Sequence, residues 1–554
     1  MKTFLLWLVC CMTLANTTQA QFNWQWAQSF PTLKITGVAT DASGDVFVTG
    51  SFAAPVTFNF PYGQTTLTPT GVRDIFLARF DERGSVKWAR QVGGAGATAN
   101  GTSIALDGAG SAYLVGDFAK ATLTVNTGGA PLVFAPVFSS LSDVRACVLK
   151  YSTATGTVQW SRAGTAVPGG RDCLPTSVAA SQGGCFVGGF FGAVAQFDTT
   201  TITGNRFGSV FVAAYSPAGA LRWVKASSTL NDGGIFAGGS ATAVATDFFG
   251  NCYLTGYYRM SDFTFGGLSL PSISTFPLTV ATQAFVARLN PATGNAVWLR
   301  GNTAAADSSV SRGTGVSVAT GGCYVGGTMN SGMISFGGTQ TLTATANQGY
   351  LARYNAGTGA TEWVRALQNA TDIVHVTTSL LNVLAVSSVQ ADRAAAPMVK
   401  VWSFWPWGSA QGSIRAQGGS SACSSVAQSG ATVHLAGSYS DAVAFGRTGI
   451  SALPGAPSAF LAQLNLLPSY PRKEASEAPT LAAYPNPAAA DLQVKVPAGT
   501  QQVTLLDHYG RVVRKLQAPA LETTLDVRGL PPGPYVLRSE GPQGSSTLHV
   551  KIGE

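Results

Sequence analysis

A strand–turn–strand segment that recurs along most of the chain sets the strongest constraint on its fold. GVATDASGDVFVTGSF begins at Gly37, SIALDGAGSAYLVGDF at Ser103, SVAASQGGCFVGGFF at Ser177, AVATDFFGNCYLTGYY at Ala243, GVSVATGGCYVGGTM at Gly315 and SVAQSGATVHLAGSY at Ser425. A degenerate copy, IVHVTTSLLNVLAVSS, starts at Ile373 and brings the count to seven. A second hairpin closes most units, as in DIFLARFDERGSVKWAR or AFVARLNPATGNAVWLR, with Trp88, Trp160, Trp223, Trp298 and Trp363 in one shared slot. Each unit thus offers four short strands, A to D, joined by Gly- or Asn-containing turns suited to tight hairpins. Strands such as VFVTG and CYLTG are apolar on both parities. Both of their faces need cover, which stacked repeats supply to one another.

The two ends of the array bear on its closure. The seventh unit finishes at AFLAQLNLLP with no Trp strand, while Gln25-Trp26-Ala27-Gln28, ahead of the first unit, is similar to KWARQ. In the sixth unit Ile414-Arg415 stands in that place. A strand lent by the N-terminus to the last unit would leave no open end. The expected fold is therefore all-β: a seven-bladed β-propeller over residues 21–468, closed by an N-terminal strand. The repeats exceed the ~40–45 residues of a compact blade. Most of the surplus lies between strands B and C, as in FTFGGLSLPSISTF and AVAFGRTGISALPGAPS. Those excursions are expected to gather on one face and build a binding surface. The repeat resembles the bacterial SBBP β-propeller repeat, whose pattern is similar to Ala243–Asn290. That resemblance implies the fold and is nearly silent on function.

Lys2, the apolar run Phe4–Leu14 and Thr18-Gln19-Ala20 read as a secretory signal over residues 1–20, cleaved between Ala20 and Gln21. Cys10 and Cys11 lack the small residue expected before a lipidated cysteine. No stretch approaches the ~20 apolar residues of a membrane-spanning helix, so no transmembrane segment is expected. With 11% charged residues, a net charge of +8 and no Lys/Arg run, nucleic acid is excluded as a partner. Export permits disulfides. Cys185, Cys252 and Cys323 align with Val46 and Ala112 and read as packing residues, while pairing among Cys147, Cys173 and Cys423 stays open.

After a Pro- and charge-bearing linker, residues 469–480, the stretch 481–554 alternates apolar and polar residues between turns, the pattern of a small β-sandwich. It resembles the type A sorting domain of the type IX secretion system of Bacteroidota. The resemblance rests on Tyr484-Pro485-Asn486-Pro487, on Asp507, Gly510 and Arg511 in LDHYGR, on Gly533 and Tyr535 in LPPGPY, and on Lys551 in the last strand. It implies passage through the periplasm, the type IX secretion machinery as a partner, and a cargo released into the medium or held at the cell surface.

Groups able to do chemistry are few. His434 fills the slot of Phe47, Tyr113, Phe186, Tyr253 and Tyr324 and reads as packing; His375 lies on the sixth A strand; His508 and His549 belong to the tail. Asp41, Asp107 and Asp247 recur in A–B turns, where aspartate bonds its own backbone. Asp41-x-Ser-x-Asp45 lacks the further ligands of a calcium loop. Gly94-Ala-Gly96-Ala-Thr-Ala99 precedes a strand rather than the helix a dinucleotide site requires. Arg90, Arg162, Lys225, Arg300 and Arg365, two places after each Trp, read as guards of an outer edge, with a ring facing acidic polysaccharide as the other reading. No catalytic residue, metal or cofactor is expected. The reading is a non-enzymatic binding scaffold for a polysaccharide or surface protein; the alternatives are a secreted glycosidase or lyase and a structural adhesin.

Overall fold

The computed structural model describes residues 21–467 and 481–553, apart from 61–62, 126–131, 135–143, 166–171, 230–237, 260–261, 272–281, 305–309, 320, 331, 371–372, 391–395, 454–456, 497–498, 508–510, 518 and 542–543. The expected signal peptide with Ala20, the expected linker 469–480, His508 and Gly510 lie outside the described residues. Every regular element among them is a strand. They fall into two compact units, the repeats up to Pro468 and the tail from Ser469.

In the first repeat Leu33–Thr40, Val46–Phe52, Asp74–Phe80 and Val86–Gly93 form an antiparallel meander in the order A-B-C-D, and later repeats keep that order. In the seventh, Ser421–Ser429, Thr432–Tyr439 and Ser458–Leu467 supply only three strands, and the fourth is Gln21–Phe30. Its register matches its siblings. Trp26 lies opposite Gln463 as Trp88 lies opposite Arg79 and Trp298 opposite Arg288. The sixth repeat departs from this pattern. Ile414 and Arg415 do lie on its D strand, but the residue at the Trp register, opposite Ser403, is Gly412.

Three devices join neighbouring sheets. The first is a bulge in the inner strand at Thr36, Thr176, Thr242 and Thr314, where one extra residue breaks the ladder. The freed hydroxyls donate to the next inner strand: Thr36 Oγ1 to Gly101 O at 2.6 Å, Thr176 Oγ1 to Ala241 O at 2.8 Å, Thr242 Oγ1 to Gly313 O at 2.6 Å and Thr314 Oγ1 to Val374 O at 3.0 Å. Val38 N–H also donates to Ser425 Oγ at 3.0 Å, and His375 Nε2 lies 3.2 Å from Cys423 O.

The second device is the Trp. Each indole N–H donates to a carbonyl in the following repeat's C–D turn: Trp88 to Thr153, Trp160 to Pro217, Trp223 to Pro291, Trp298 to Ala356, Trp363 to Pro406. Trp26 donates to Glu82 O in the first repeat. The ring lies over a turn glycine; a Cβ on Gly359, at φ +71°, would stand 2.6 Å from Trp298. Only glycine fits beneath such a ring. Arg90 and Arg365 join this latch. Arg90 Nε donates to Gly156 O and Arg365 Nε to Gly408 O, with the guanidinium 5.6 Å from Trp88 and 5.5 Å from Trp363. They are fasteners between sheets, and Gln28, in the same slot of the closing strand, donates to Gly84 O.

The third device changes the reading of the B–C excursions. Their first residues form small hairpins: Val56–Phe60 with Gly63–Leu67, Leu123–Val125 with Leu132–Phe134, Val194–Phe197 with Thr200–Thr203, Phe263–Phe265 with Leu268–Leu270, Gly332–Ser335 with Thr341–Ala344 and Ala442–Phe445 with Thr448–Ser451. Most of them also pair with the chain just past the preceding D strand, as Thr303↔Ser335 and Gln417↔Ala444 do. They are straps with buried rings (Phe58, Phe197, Phe263, Phe336, Phe445) before they are loops. The first strap makes no such pair. Pro31 stands where Gly93 and Thr303 stand elsewhere, and proline has no N–H to give a ladder.

Between the sheets lie continuous apolar layers. Val210, Val212 and Ala214 of the third repeat meet Cys252, Leu254, Phe285 and Ala287 of the fourth. Burying one such side chain contributes about 1.5–3 kcal/mol, so the layers hold the stack. The tail is separate: Ala482–Tyr484, Asp491–Lys495 and Glu522–Asp526 form one sheet, and Val512–Gln517, Gln502–Leu506, Gly533–Gly541 and Gly544–Ile552 the other. Leu492, Val494 and Leu525 face Val503, Leu505, Leu537 and Val550 across one core, a small β-sandwich.

Candidate functional site

In an antiparallel A-B-C-D meander the A–B and C–D turns share one end of the sheet. At that end, over the second to fourth repeats, lies a cleft of about 730 Å³ lined by Asp107, Phe186, Arg222, Asp247, Phe248 and Phe249, among others. Phe248 is 98% exposed and Phe249 82%, with ring centroids 5.7 Å apart at near right angles. The turn that presents them is tied down. Asp247 Oδ1 accepts from Phe249 N–H at 3.0 Å and Asn251 N–H at 2.9 Å, while Oδ2 accepts from Asn251 Nδ2 and Tyr253 OH. Arg222 sits 5.5 Å from the Phe186 ring, its charge in solvent. At the same turn positions the siblings carry Ala42-Ser43, Gly108-Ala109, Gln182-Gly183 and Gly430-Ala431; of the described turns only the sixth, Leu380-Leu381, also carries two large apolar residues. The fourth turn thus holds two adjacent phenylalanine rings in solvent on a backbone anchored by Asp247.

At the opposite end, Asp117 is the one described carboxyl held above its ordinary value. Burial raises it, Asn100, Lys34 and Arg73 pull it down, and Asp172 pushes it up again. Asn100 Nδ2 donates to Asp117 Oδ2 at 2.9 Å, and Asn100 Oδ1 accepts from Arg73 Nη1 at 3.1 Å.

The remaining sequence candidates are structural. Asp41, Asp107 and Asp247 accept from backbone N–H groups two and four residues on. Asp45 is buried between Arg79 Nε at 2.8 Å and Lys87 Nζ at 2.6 Å, so two cations already neutralise the carboxylate. His434 is buried, with Nδ1 3.0 Å from Thr40 Oγ1, and burial pushes its imidazole down to about 4. Among the described residues no cluster of three metal-ligating side chains occurs. Cys147, Cys173, Cys185, Cys252, Cys323 and Cys423 are all buried and none is disulfide-bonded, and burial raises Cys173 to about 12. No disulfide therefore joins Cys147, Cys173 or Cys423. The bulged threonines passed unnoticed in the sequence, although Thr stands directly before the motif at Gly37, Ser103, Ser177, Ala243 and Gly315.

In the tail, Asn486 pins its segment to the last strand: its Oδ1 accepts from Lys551 N–H at 2.7 Å, and Ala488 N–H donates to Lys551 O. Asp507 accepts from Arg511 N–H at 3.0 Å and pairs with its guanidinium at 2.8 Å. Tyr535 OH donates to Pro531 O at 2.8 Å, across the turn before Gly533. Tyr484 and the Lys551 side chain stay exposed. Asn486 and Gly533 are thus tied to the last strand, while Asp507 and Arg511 close a turn of their own.

Residues 482–552 match the family of the secretion system C-terminal sorting domain, and residues 87–117 match the β-propeller repeat SBBP. The sorting module marks the chain for export by type IX secretion to the cell surface or extracellular space. No curated protein matches the sequence. Among solved structures, PorZ of Porphyromonas gingivalis, an essential surface component of that organism's type-IX secretion system, is 11% identical, with 94% of this chain and 82% of that one covered and a TM-score of 0.19. A protein of unknown function from Dyadobacter fermentans is 8% identical, with 80% and 99% covered and a TM-score of 0.32. The extracellular domain of a putative hybrid two-component system from B. thetaiotaomicron is 9% identical, with 97% and 100% covered and a TM-score of 0.15. Nothing about this chain's function rests on these three.

Proposed function

We propose that this exported chain is a seven-bladed propeller, closed by its N-terminal strand, that binds a surface polysaccharide at the A–B/C–D end without cleaving it. Closure is supported by the strand Gln21–Phe30 in the last sheet, by Trp26 reaching Glu82, and by Val38 reaching Ser425. The binding reading is carried by the exposed Phe248–Phe249 pair beside Arg222. A pyranose presents a C–H face to an aromatic ring and hydroxyls to Asp and Arg, and a cleft with both kinds of group satisfies both. The protein purified from the medium should be retained on at least one neutral or acidic polysaccharide column. Phe248→Ala/Phe249→Ala, a change at exposed positions, should weaken retention at least tenfold. Unchanged retention in that variant, or none on any column, sinks the reading.

A second reading, a glycan-cleaving enzyme, draws on Asp117, whose raised carboxyl, bonded to Asn100, suits a proton donor. Release of new reducing ends, lost in Asp117→Asn, would favour it. Retention with no product favours the binder.

A further inference from the structure

One slot that every other repeat fills with an apolar side chain is built differently in the sixth. On strand C, three residues before the one opposite the D-strand Trp, the siblings carry an apolar residue facing a small or neutral one: Phe76↔Gln91, Cys147↔Ala163, Phe211↔Ala226, Phe285↔Gly301, Tyr350↔Ala366 and Phe460↔Ser29. The strap covers that residue. Phe197 lies 5.0 Å from Phe211, Phe263 4.7 Å from Phe285, Phe336 4.9 Å from Tyr350 and Phe445 4.9 Å from Phe460. In the sixth repeat the corresponding pair is Lys400↔Arg415, two cations directly opposed across an antiparallel ladder. Among the described residues its B–C connection carries no strap hairpin.

Like charges in that position repel, and burial together with Arg415 drives the Lys400 ammonium below its ordinary value. No carboxylate among the described residues pairs with either. The opposition leaves a small hollow of about 100 Å³, lined by Gln368, Asn369, Val389, Met398, Lys400 and Arg415. At ~30 Å³ per water, that is room for about three waters or one tetrahedral or planar oxyanion. The Lys400 ammonium lies 5.0 Å from the Trp402 ring. Amide groups of Gln368 and Asn369 border the same hollow and can donate to an oxyanion.

We propose that the strap slot of the sixth repeat is an oxyanion site, in which Lys400 and Arg415 clasp a sulfate, phosphate or carboxylate group. A guanidinium and an ammonium facing one hollow bind such a group by charge-assisted hydrogen bonds. The site is independent of the Phe248–Phe249 cleft, so either can fail without the other.

The test is calorimetric titration of the full exported chain with sodium sulfate and sodium phosphate, against chloride at matched ionic strength. Saturable binding is expected in the wild type, weakened at least tenfold by Arg415→Gln and by Lys400→Gln. The double change Lys400→Phe/Arg415→Ala, which restores the siblings' pair, should abolish it while keeping the far-ultraviolet spectrum and the melting temperature or raising the latter. Parallel runs with a polyuronate and a sulfated polysaccharide separate the sources. A response to the polymers assigns the group to a glycan, and a response to the inorganic ions alone assigns it to a free anion; both support the site. Absence of saturable binding by any oxyanion, or binding equal in wild type and Gln variants, overturns it.

Discussion

Replacing His434 by phenylalanine should remove a specific acid weakness from this protein. The residue is fully buried, its Nδ1 bonded to Thr40 Oγ1, its ring 5.9 Å from Trp26, and its Nε2 without a partner. Burial holds its folded pKa at about 4 against an ordinary 6.5. Above pH 6.5 both folded and unfolded chains carry a neutral imidazole, and the residue imposes no penalty. Between pH 6.5 and 4 the unfolded chain takes up a proton that the folded chain refuses, so stability falls as pH falls. At ~1.4 kcal/mol per pKa unit, the full loss below pH 4 is roughly 3 kcal/mol. Phe47, Tyr113, Phe186, Tyr253 and Tyr324 occupy the equivalent slot, so a phenyl ring fits. At pH 7 His434→Phe should lie within about 1 kcal/mol of wild type, having lost one neutral hydrogen bond. At pH 4.5 it should be about 2 kcal/mol the more stable. Urea midpoints of both proteins from pH 4 to 7.5 measure this. The Asp117 carboxyl, held above its ordinary value, titrates in both proteins and cancels in the difference. Parallel pH profiles would refute the argument, because they would mean that the imidazole is hydrated or charged in the folded state.

Other expectations follow from the joints between sheets. Gly359→Ala puts a Cβ against Trp298 at a positive φ and should cost about 1–3 kcal/mol, read as a lower melting temperature; an unchanged melt contradicts the latch. Deleting residues 21–30 bares the edge of Ser458–Leu467 along its length, and the product should self-associate in sedimentation; a monodisperse monomer would refute closure by that strand. The buried thiols should resist a thiol reagent until the chain unfolds, and reductant should leave the melting temperature unchanged. Deleting residues 481–554 should hold the protein in the periplasm; its appearance in the medium would contradict the role of the sorting module.

Much of the fold was open to reading because repeats expose their rules by comparison. Trp26 could be placed in the last sheet from the QWAQ/KWARQ likeness alone, and its pairing with Gln463 matches. Asp41, Asp107 and Asp247 were separable from catalysis because turn chemistry is local and spans four residues. The candidate cleft was less legible. The Phe-Phe dipeptide of the fourth repeat looked like part of a shared turn, and only its exposure marked it out. The excursions, taken for binding loops, begin as straps. A phenylalanine two residues after an apolar or aromatic one recurs in VTFNF, FTFGG and ISFGG and could have been seen. Arg90 and Arg365 looked like edge guards because their partners, Gly156 and Gly408, lie a full repeat further along the chain.

The sequence alone determined the local and periodic features: seven copies, four strands each, turns at glycine, a displaced Trp strand, and a sorting tail. Such features follow from backbone geometry and the apolar pattern within a few residues. What only the tertiary structure decided are the relations between copies: which carbonyl each indole and hydroxyl meets, whether six cysteines pair, and that Lys400 faces Arg415 across one ladder. Those depend on register and on the spacing of neighbouring sheets, which a linear pattern does not carry because partners up to several hundred residues apart, such as Val38 and Ser425, meet only when the sheets stack.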